Sequence, residues 1–313
     1  MTGADAMACT TTTTHVNLGS HSSYSVASTS KDGSGSAGLS CNVTLGLLST
    51  HYIAVQVDAS TFMLTGPTGQ TVPYTASLTA NGPALGIGNF QNLSSTTLLS
   101  LFSGTNNSIP IYLRTHATSG LSAGTYNGYM DLRWYYSVCN LGVVACLSYA
   151  NSTGLERPLL GTPSNWGSGN PVRINIELTI EKDCIITAPD ANFGTAPLAS
   201  SFNPISRTIL IRCSAGAAYT VGLSDGNHPD NGARRMRSGS NYLRYDIFKT
   251  DILGERWGAM GSARRSSGSA NDNAGIYDSI TEQGFRYTAA ILPGQTTPPP
   301  GEYTDTILLD IAF

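Results

Sequence analysis

Residues 123–136, AGTYNGYMDLRWYY, and residues 300–313, PGEYTDTILLDIAF, align at a constant offset of 177. Gly124 falls on Gly301, Tyr126 on Tyr303, Met130 on Ile307, Leu132 on Leu309, Trp134 on Ile311 and Tyr136 on Phe313. Apolar residues at every second position describe a strand that buries one face. The cysteines keep the same spacing: Cys9 stands 117 positions before Tyr126, and Cys184 stands 119 before Tyr303. The chain reads as two similar β domains in tandem, residues 1–181 and 182–313. Its 313 residues suffice for each to bury its own core.

Short alternating segments fill both halves: YIAVQVD (52–58), IPIYLRT (109–115), RTILIRC (207–213), YTVGLS (219–224) and YLRYDIF (242–248). Gly, Pro, Asn and Asp turns separate them and no long helical periodicity appears, which is the pattern of all-β, immunoglobulin-like sandwiches. Charged residues make up 12% of the chain, about half the usual share, and the net charge is −3. That charge gives no electrostatic case for nucleic acid or an anionic membrane. The basic clusters GARRMRSG (Arg234, Arg235, Arg237) and SARRSSG (Arg264, Arg265) lack interleaved aromatics and are expected to decorate loops. No apolar run reaches the roughly 18 residues of a transmembrane helix. The start, MTGADAMAC, has no hydrophobic leader, so any signal peptide is expected to have been removed.

Six cysteines stand at 9, 41, 139, 146, 184 and 213. None forms a CxxC pair and the histidines at 15, 21, 51, 116 and 228 show no metal spacing, so no metal or cofactor is expected. An even count in a β chain poor in lysine suggests an oxidising compartment, and the simplest pairing is sequential: Cys9–Cys41, Cys139–Cys146, Cys184–Cys213.

The halves differ at their ends. After its last shared strand the first half continues to VRINIELTI (172–180), in which Ile174, Ile176, Leu178 and Ile180 alternate with polar residues. The second half has only its closing alternation, ending at Phe313. If 172–180 completes the first sandwich, the second lacks its last strand. It then exposes a groove lined by Ile307, Leu309, Ile311 and Phe313 beside an unpaired backbone edge, and such an edge calls for strand addition from another chain.

Four stretches of the second half carry a resemblance: CIITAPDANFG (184–194), ILIRCSAGAAYTVGLSDG (209–226), RRMRSGSNYLRYDIF (234–248) and the closing PGEYTDTILLDIAF. Over about 130 residues it resembles the spore coat protein U domain used by pilins of the archaic chaperone–usher pathway. The first half resembles a diverged copy, keeping the cysteine pair, Gly124, Tyr126 and the closing alternation. A chain of this plan is similar to the two-domain tip adhesins of Csu-type pili. The resemblance implies a Gram-negative cell and a C-terminal pilin domain held first by a periplasmic chaperone, passed through the outer-membrane usher, and then completed by the neighbouring pilin's strand. It also implies an N-terminal domain that meets the colonised surface in biofilm formation. Shaft pilins of the family carry a donor strand ahead of their first cysteine. Here only MTGADAMA precedes Cys9, so the expected place is the extracellular tip of the fibre, reached through the periplasm.

Three insertions in the first half share a Leu-Gly step with further aliphatics: TLGLL with Leu45, Leu47 and Leu48, GPALGIGNF with Leu85 and Ile87, and CNLGVVAC with Leu141, Val143 and Val144. In an immunoglobulin-like frame they fall in the B–C, D–E and F–G connections, which lie at one pole. Aliphatics usually fold back into the core. A disulfide closing eight residues, worth about 2–3 kcal/mol by loop entropy, opposes that for the third loop. Exposed together, the tips form an apolar patch. Burying roughly 300 Å² of it at about 25 cal/mol per Å² yields near 7 kcal/mol before association costs, a weak single contact that many pili make lasting. The expected target is an apolar or irregular surface, abiotic plastic included.

Two strings imitate catalytic motifs. GLSAG (120–124) fits G-x-S-x-G, but Ser122 leads into a strand and not a helix. GSGSAG (33–38) fits G-x-G-x-x-G but opens no helix, and it reads as a Gly/Ser loop. No enzyme is expected. The rival reading is a lectin-like adhesin binding a glycan through Tyr135, Tyr149 and Trp166, since Trp134 and Tyr136 share the inward register of Leu132. A coat or shaft component is a third.

Overall fold

The computed structural model describes residues 9–42, 50–141, 146–158, 161–250 and 254–313, without the side chains of Asn140 and Leu141. Two compact units divide the chain at residues 181 and 182. Unit 1 holds β1 (Cys9–Thr11), β2 (Thr14–Ser22), β3 (Asp32–Cys41), β4 (Tyr52–Ser60), β5 (Met63–Thr65), β6 (Thr71–Ser77), β7 (Phe90–Asn92), β8 (Ser108–Thr115), β9 (Gly124–Leu141), β10 (Ser148–Asn151) and β11 (Asn170–Glu181). Unit 2 holds β12 (Cys184–Thr187), β13 (Ile205–Cys213), β14 (Thr220–Leu223), β15 (Arg234–Ser238), β16 (Asn241–Phe248), β17 (Arg265–Ser266), β18 (Gln283–Ile291) and β19 (Leu309–Ala312). Both are all-β, immunoglobulin-like sandwiches.

In unit 1 the ladder runs β1-β3-β8-β6-β5-β9-β11-β2, with β4 also on β9, β7 on β4 and β10 on β9. It curls until β2 lies over β3. That approach explains GSGSAG, which is part of strand β3 and not the loop expected from its composition. A Cβ on Gly33 would meet Leu18 Cδ2 at 2.4 Å, and one on Gly35 would meet Val16 Cγ2 at 2.7 Å. A bulge between Ser36 and Ser40 turns the Ala37 carbonyl inward, where it accepts from Trp134 Nε1 at 2.8 Å. The alternation of β9 and β11 fills the core: Met130, Leu132, Trp134 and Tyr136 pack with Ile174, Ile176, Leu178 and Ile180.

Unit 2 repeats the plan with fewer strands, as a five-stranded sheet β12-β13-β18-β16-β15 facing a three-stranded one, β17-β14-β19. Its core gathers Ile209, Ile211, Val221, Ile247, Trp257 and Phe285. The arginine clusters are not loop decoration throughout. Arg234 is 0% exposed and pairs with Asp246, which Arg256 also holds at 2.8 Å. Its other donors reach the carbonyls of Leu223, Ser224 and Trp257. Arg265 is buried against the rings of Trp257 and Phe285. Burial pulls both guanidinium groups below the usual arginine range.

The disulfides are Cys9–Cys41 across β1 and β3, Cys184–Cys213 across β12 and β13, and Cys139–Cys146 at the β9–β10 hairpin. Each of the first two ties residues directly opposite in the ladder. A tyrosine corner marks the repeat: Tyr126 Oη donates to the Ser122 carbonyl at 3.0 Å, and Tyr303 Oη donates to the Pro299 carbonyl at 2.8 Å, each four residues back. The Ser122 hydroxyl is buried and hydrogen-bonded with Thr68 and Gln70.

Candidate functional site: an open strand slot and a loop end

Internal pairing locates the first site. β9 runs between β4 and β11, antiparallel to both: Met130 faces Ile174, Gly128 faces Ile176 and Tyr126 faces Leu178. On its far side β11 runs parallel to β2. In unit 2 the offset of 177 makes β19 the counterpart of β9, and β14, its neighbour, that of β4. Among the described residues, β19 pairs with β14 alone; ahead of it, Ser224 N donates to the Leu308 carbonyl and Thr304 bridges Arg237. No described strand of unit 2 takes the place of β11. The cysteine spacing sets residues 189–197 opposite β2, and these form no strand. With no β11 to pair against, the segment has no ladder to join.

The side chains follow the backbone. Met130, Leu132 and Trp134 are fully buried, whereas Ile307, Leu309 and Ile311 are half-covered. Phe313 is 50% exposed, under the Lys182 ammonium at 5.2 Å. Leu308 is 70% exposed. The strand expected over residues 301–313 forms a ladder only across Leu309–Ala312, and Ile307 precedes it.

The second site is the end of unit 1 where β4 begins and β9 finishes. Tyr52 pairs with Ser137, and β9 continues to Leu141, which faces Ser148 of β10. Residues 43–49 and 142–145 lie outside the described residues, and with them Leu45, Leu47, Leu48, Val143 and Val144. The backbone of Leu141 is within β9. The described residues flanking the two segments, Thr50 for the first and Cys139 and Cys146 for the second, stand at this one end.

The GPALGIGNF insertion does not join them. Ile87 bridges Val57, five residues along β4 from Tyr52 or roughly 17 Å at the rise of a strand. Leu85, expected at an exposed tip, is a correction. Its amide donates to the Ala76 carbonyl and its side chain is 8% exposed, packed in the core of unit 1. The glycines around it allow the turn that returns Leu85 inward. Ile87 is 56% exposed.

The rival sugar residues do not make one open platform. Tyr135 is buried in an aromatic cluster, tilted against Phe90 at 5.3 Å and edge-to-face with Trp166 at 6.4 Å. Tyr149 is apart from them, its face covered by the Arg157 guanidinium at 4.1 Å. Among the described residues there is no group of metal-ligating side chains, and no helix is long and apolar enough to cross a membrane.

The sequence profile of the Spore Coat Protein U domain matches residues 2–132 and again 171–310. The chain belongs to the Spore Coat Protein U domain family. Both halves match, so the first is a recognisable copy as well as the second. The second match begins at residue 171, with β11, although the structure gives that strand to unit 1. Among solved structures it is similar to a chain of the CsuC–CsuE chaperone–tip adhesion subunit pre-assembly complex from the archaic chaperone–usher Csu pili of Acinetobacter baumannii. Identity there is 31% over 98% of this chain and 100% of that one, with a TM-score of 0.75. The CupB6 tip adhesin of Pseudomonas aeruginosa is more distant, at 10% identity over 90% of this chain and 85% of that one, with a TM-score of 0.28. No curated protein sequence matches it.

Proposed function

We propose that this protein is the tip adhesin of an archaic chaperone–usher pilus, with no enzymatic role, and that it attaches Gram-negative cells to apolar and abiotic surfaces in biofilm formation. The observation that carries the reading is the contrast at β9 and β19, one strand with β11 beside it and the other with that side open. An apolar edge of this kind aggregates unless another chain covers it. A periplasmic chaperone strand covers it first and the next pilin's strand replaces that at the outer-membrane usher. β11 stands directly ahead of Cys184 but is spent inside unit 1, so it is not free to complete a further subunit. That use suits a terminal place in the fibre, outside the cell. Similarity to the CsuE chain supports the same assignment.

Attachment falls to the loop end of unit 1. The two segments that leave the described strands there carry Leu45, Leu47 and Leu48, and Leu141, Val143 and Val144, in their sequence, and the disulfide Cys139–Cys146 joins the ends of the latter. Such side chains carry no hydrogen-bond code and suit an apolar target. Cells bearing a Leu141→Ser, Val143→Ser, Val144→Ser variant are expected to assemble pili normally and to lose at least about tenfold in attachment to polystyrene. Wild-type attachment should survive high salt and free sugars. Inhibition by a free saccharide, with the triple variant attaching normally, would transfer the role to a lectin-like site.

A further inference from the structure

Residues 152–158 and 161–169, between β10 and β11, fold back against β9. Ser152 N donates to the Tyr136 carbonyl, Glu156 and Asn165 bridge one another, and Ser168 N returns to the Thr153 carbonyl. This strap carries Arg157 to the end where the two apolar loops arise. There the guanidinium lies over two rings, 4.8 Å from the centre of Tyr52 and 4.1 Å from that of Tyr149. Nη1 donates to the Thr50 carbonyl at 3.1 Å and to Ser137 Oγ at 3.4 Å, Nη2 donates to Thr50 Oγ1 at 3.2 Å, and Nε donates to the Pro158 carbonyl at 3.3 Å. No ion pair is recorded for it among the described residues. Thr50 follows the 43–49 segment directly, and Tyr149 follows Cys146 on the returning arm of the hairpin.

We infer that Arg157 is a positioning residue that fixes the stems of both apolar loops to one another. The planar fork is what the site uses. Its edge reaches two oxygens of Thr50 and one of β9 while its central carbon sits over tyrosine rings from different stems, and an ammonium has neither the fork nor the plane. Held this way, the two stems do not diverge under a load applied to either. The inference rests on the adhesive reading above for its purpose, but the bracing itself does not.

The test uses the full two-domain chain in its chaperone complex, comparing Arg157→Lys, Arg157→Gln and Tyr149→Leu with the wild type. Backbone amide exchange is read at residues 50–53 and 148–151, and attachment of piliated cells to polystyrene is measured alongside. Exchange at both stems is expected to rise about tenfold in Arg157→Lys and Arg157→Gln, and less in Tyr149→Leu, while amides of β9 and β11 stay protected. Attachment falls in the same order. Unchanged stem exchange in Arg157→Gln overturns the inference, as does full rescue by lysine, which would reduce the role to charge. Should Arg157→Gln fail to fold, Tyr149→Leu decides by the same criterion. Looser stems with undiminished attachment leave the brace standing and count against the loops as the adhesive element.

Discussion

β9 and β19 hold the same place in two copies of one sheet plan, yet of the aligned residues 124–136 and 301–313 all of the first are strand and only four of the second. Their apolar alternation is the same, so the sequence of the strand itself does not account for the difference. Neighbours do. β9 is paired by β4, β5, β10 and β11, whereas β19 has β14. The deficit extends to residues 189–197, which have no ladder, while β2 in unit 1 is a nine-residue strand with Val16 and Leu18 buried. One absent strand thus removes order from both of its would-be neighbours. Apart from β10, which has no counterpart among the described strands of unit 2, the remaining strands correspond one to one: β1 with β12, β3 with β13, β4 with β14, β5 with β15, β6 with β16, β7 with β17 and β8 with β18.

The two cores also differ in kind. Among the described residues, no Asp, Glu, Lys or Arg is buried in unit 1, while unit 2 buries Arg234, Asp246 and Arg265. The Arg234–Asp246–Arg256 network ties the β15–β16 hairpin to Leu223 and Trp257, on the side of the slot that stays closed. Asp246→Ala strands a buried guanidinium and should destabilise unit 2 by about 3–5 kcal/mol, leaving the thermal transition of unit 1 in place. A loss under about 1 kcal/mol would mean the network contributes little and the contrast between the cores is incidental.

Slot filling gives the next largest effect. Ile176→Ala removes a core side chain from unit 1 and should cost about 2–5 kcal/mol. Leu309→Ala trims a side chain that is still half-covered, and roughly 1 kcal/mol is expected in the free chain. A peptide with the sequence of residues 171–180, PVRINIELTI, supplies the alternation that β9 already accepts. At a hundredfold excess over its dissociation constant it should raise the stability of unit 2 by about 2.7 kcal/mol, and leave unit 1 unchanged. With the peptide bound, Leu309→Ala should cost nearly what Ile176→Ala does. If calorimetry finds no stabilisation by the peptide, or stabilisation of unit 1 instead, the open slot is not an acceptor.

Much of this was legible in the chain because a strand with one buried face writes its period directly into the sequence. The repeat at 177, the tandem domains and the role of 172–180 in unit 1 all follow from positions such as Ile174 and Ile176. What was illegible depended on contacts far apart in sequence. Gly33 and Gly35 look like loop glycines until Val16 and Leu18 are seen to lie over them. Arg234 looks solvated until Asp246 appears beside it. Leu85 shared its Leu-Gly step with two other insertions, but a local motif does not say which of its residues turn inward. β10 and the strap at 152–169, which place Arg157, carry too little periodicity to be read from sequence at all.

The tyrosine corners offer the finest measure of the comparison. Tyr126 is buried, and Tyr126→Phe leaves the Ser122 carbonyl without its donor, at a cost of about 1–2 kcal/mol. Tyr303 makes the same bond to Pro299 but is half-covered, so water can replace the hydroxyl and Tyr303→Phe should cost only about 0.5 kcal/mol. The difference has a source that can be switched. Leu178 of β11 stands opposite Tyr126 in the ladder, and no described strand stands opposite Tyr303. A bound donor strand in the register of β11 sets an apolar side chain against Tyr303 and takes the water away. Tyr303→Phe should then approach the cost of Tyr126→Phe in thermal unfolding. A cost that does not change on adding the peptide would mean that the strand does not reach residue 303, and that unit 2 is completed in a different register from unit 1.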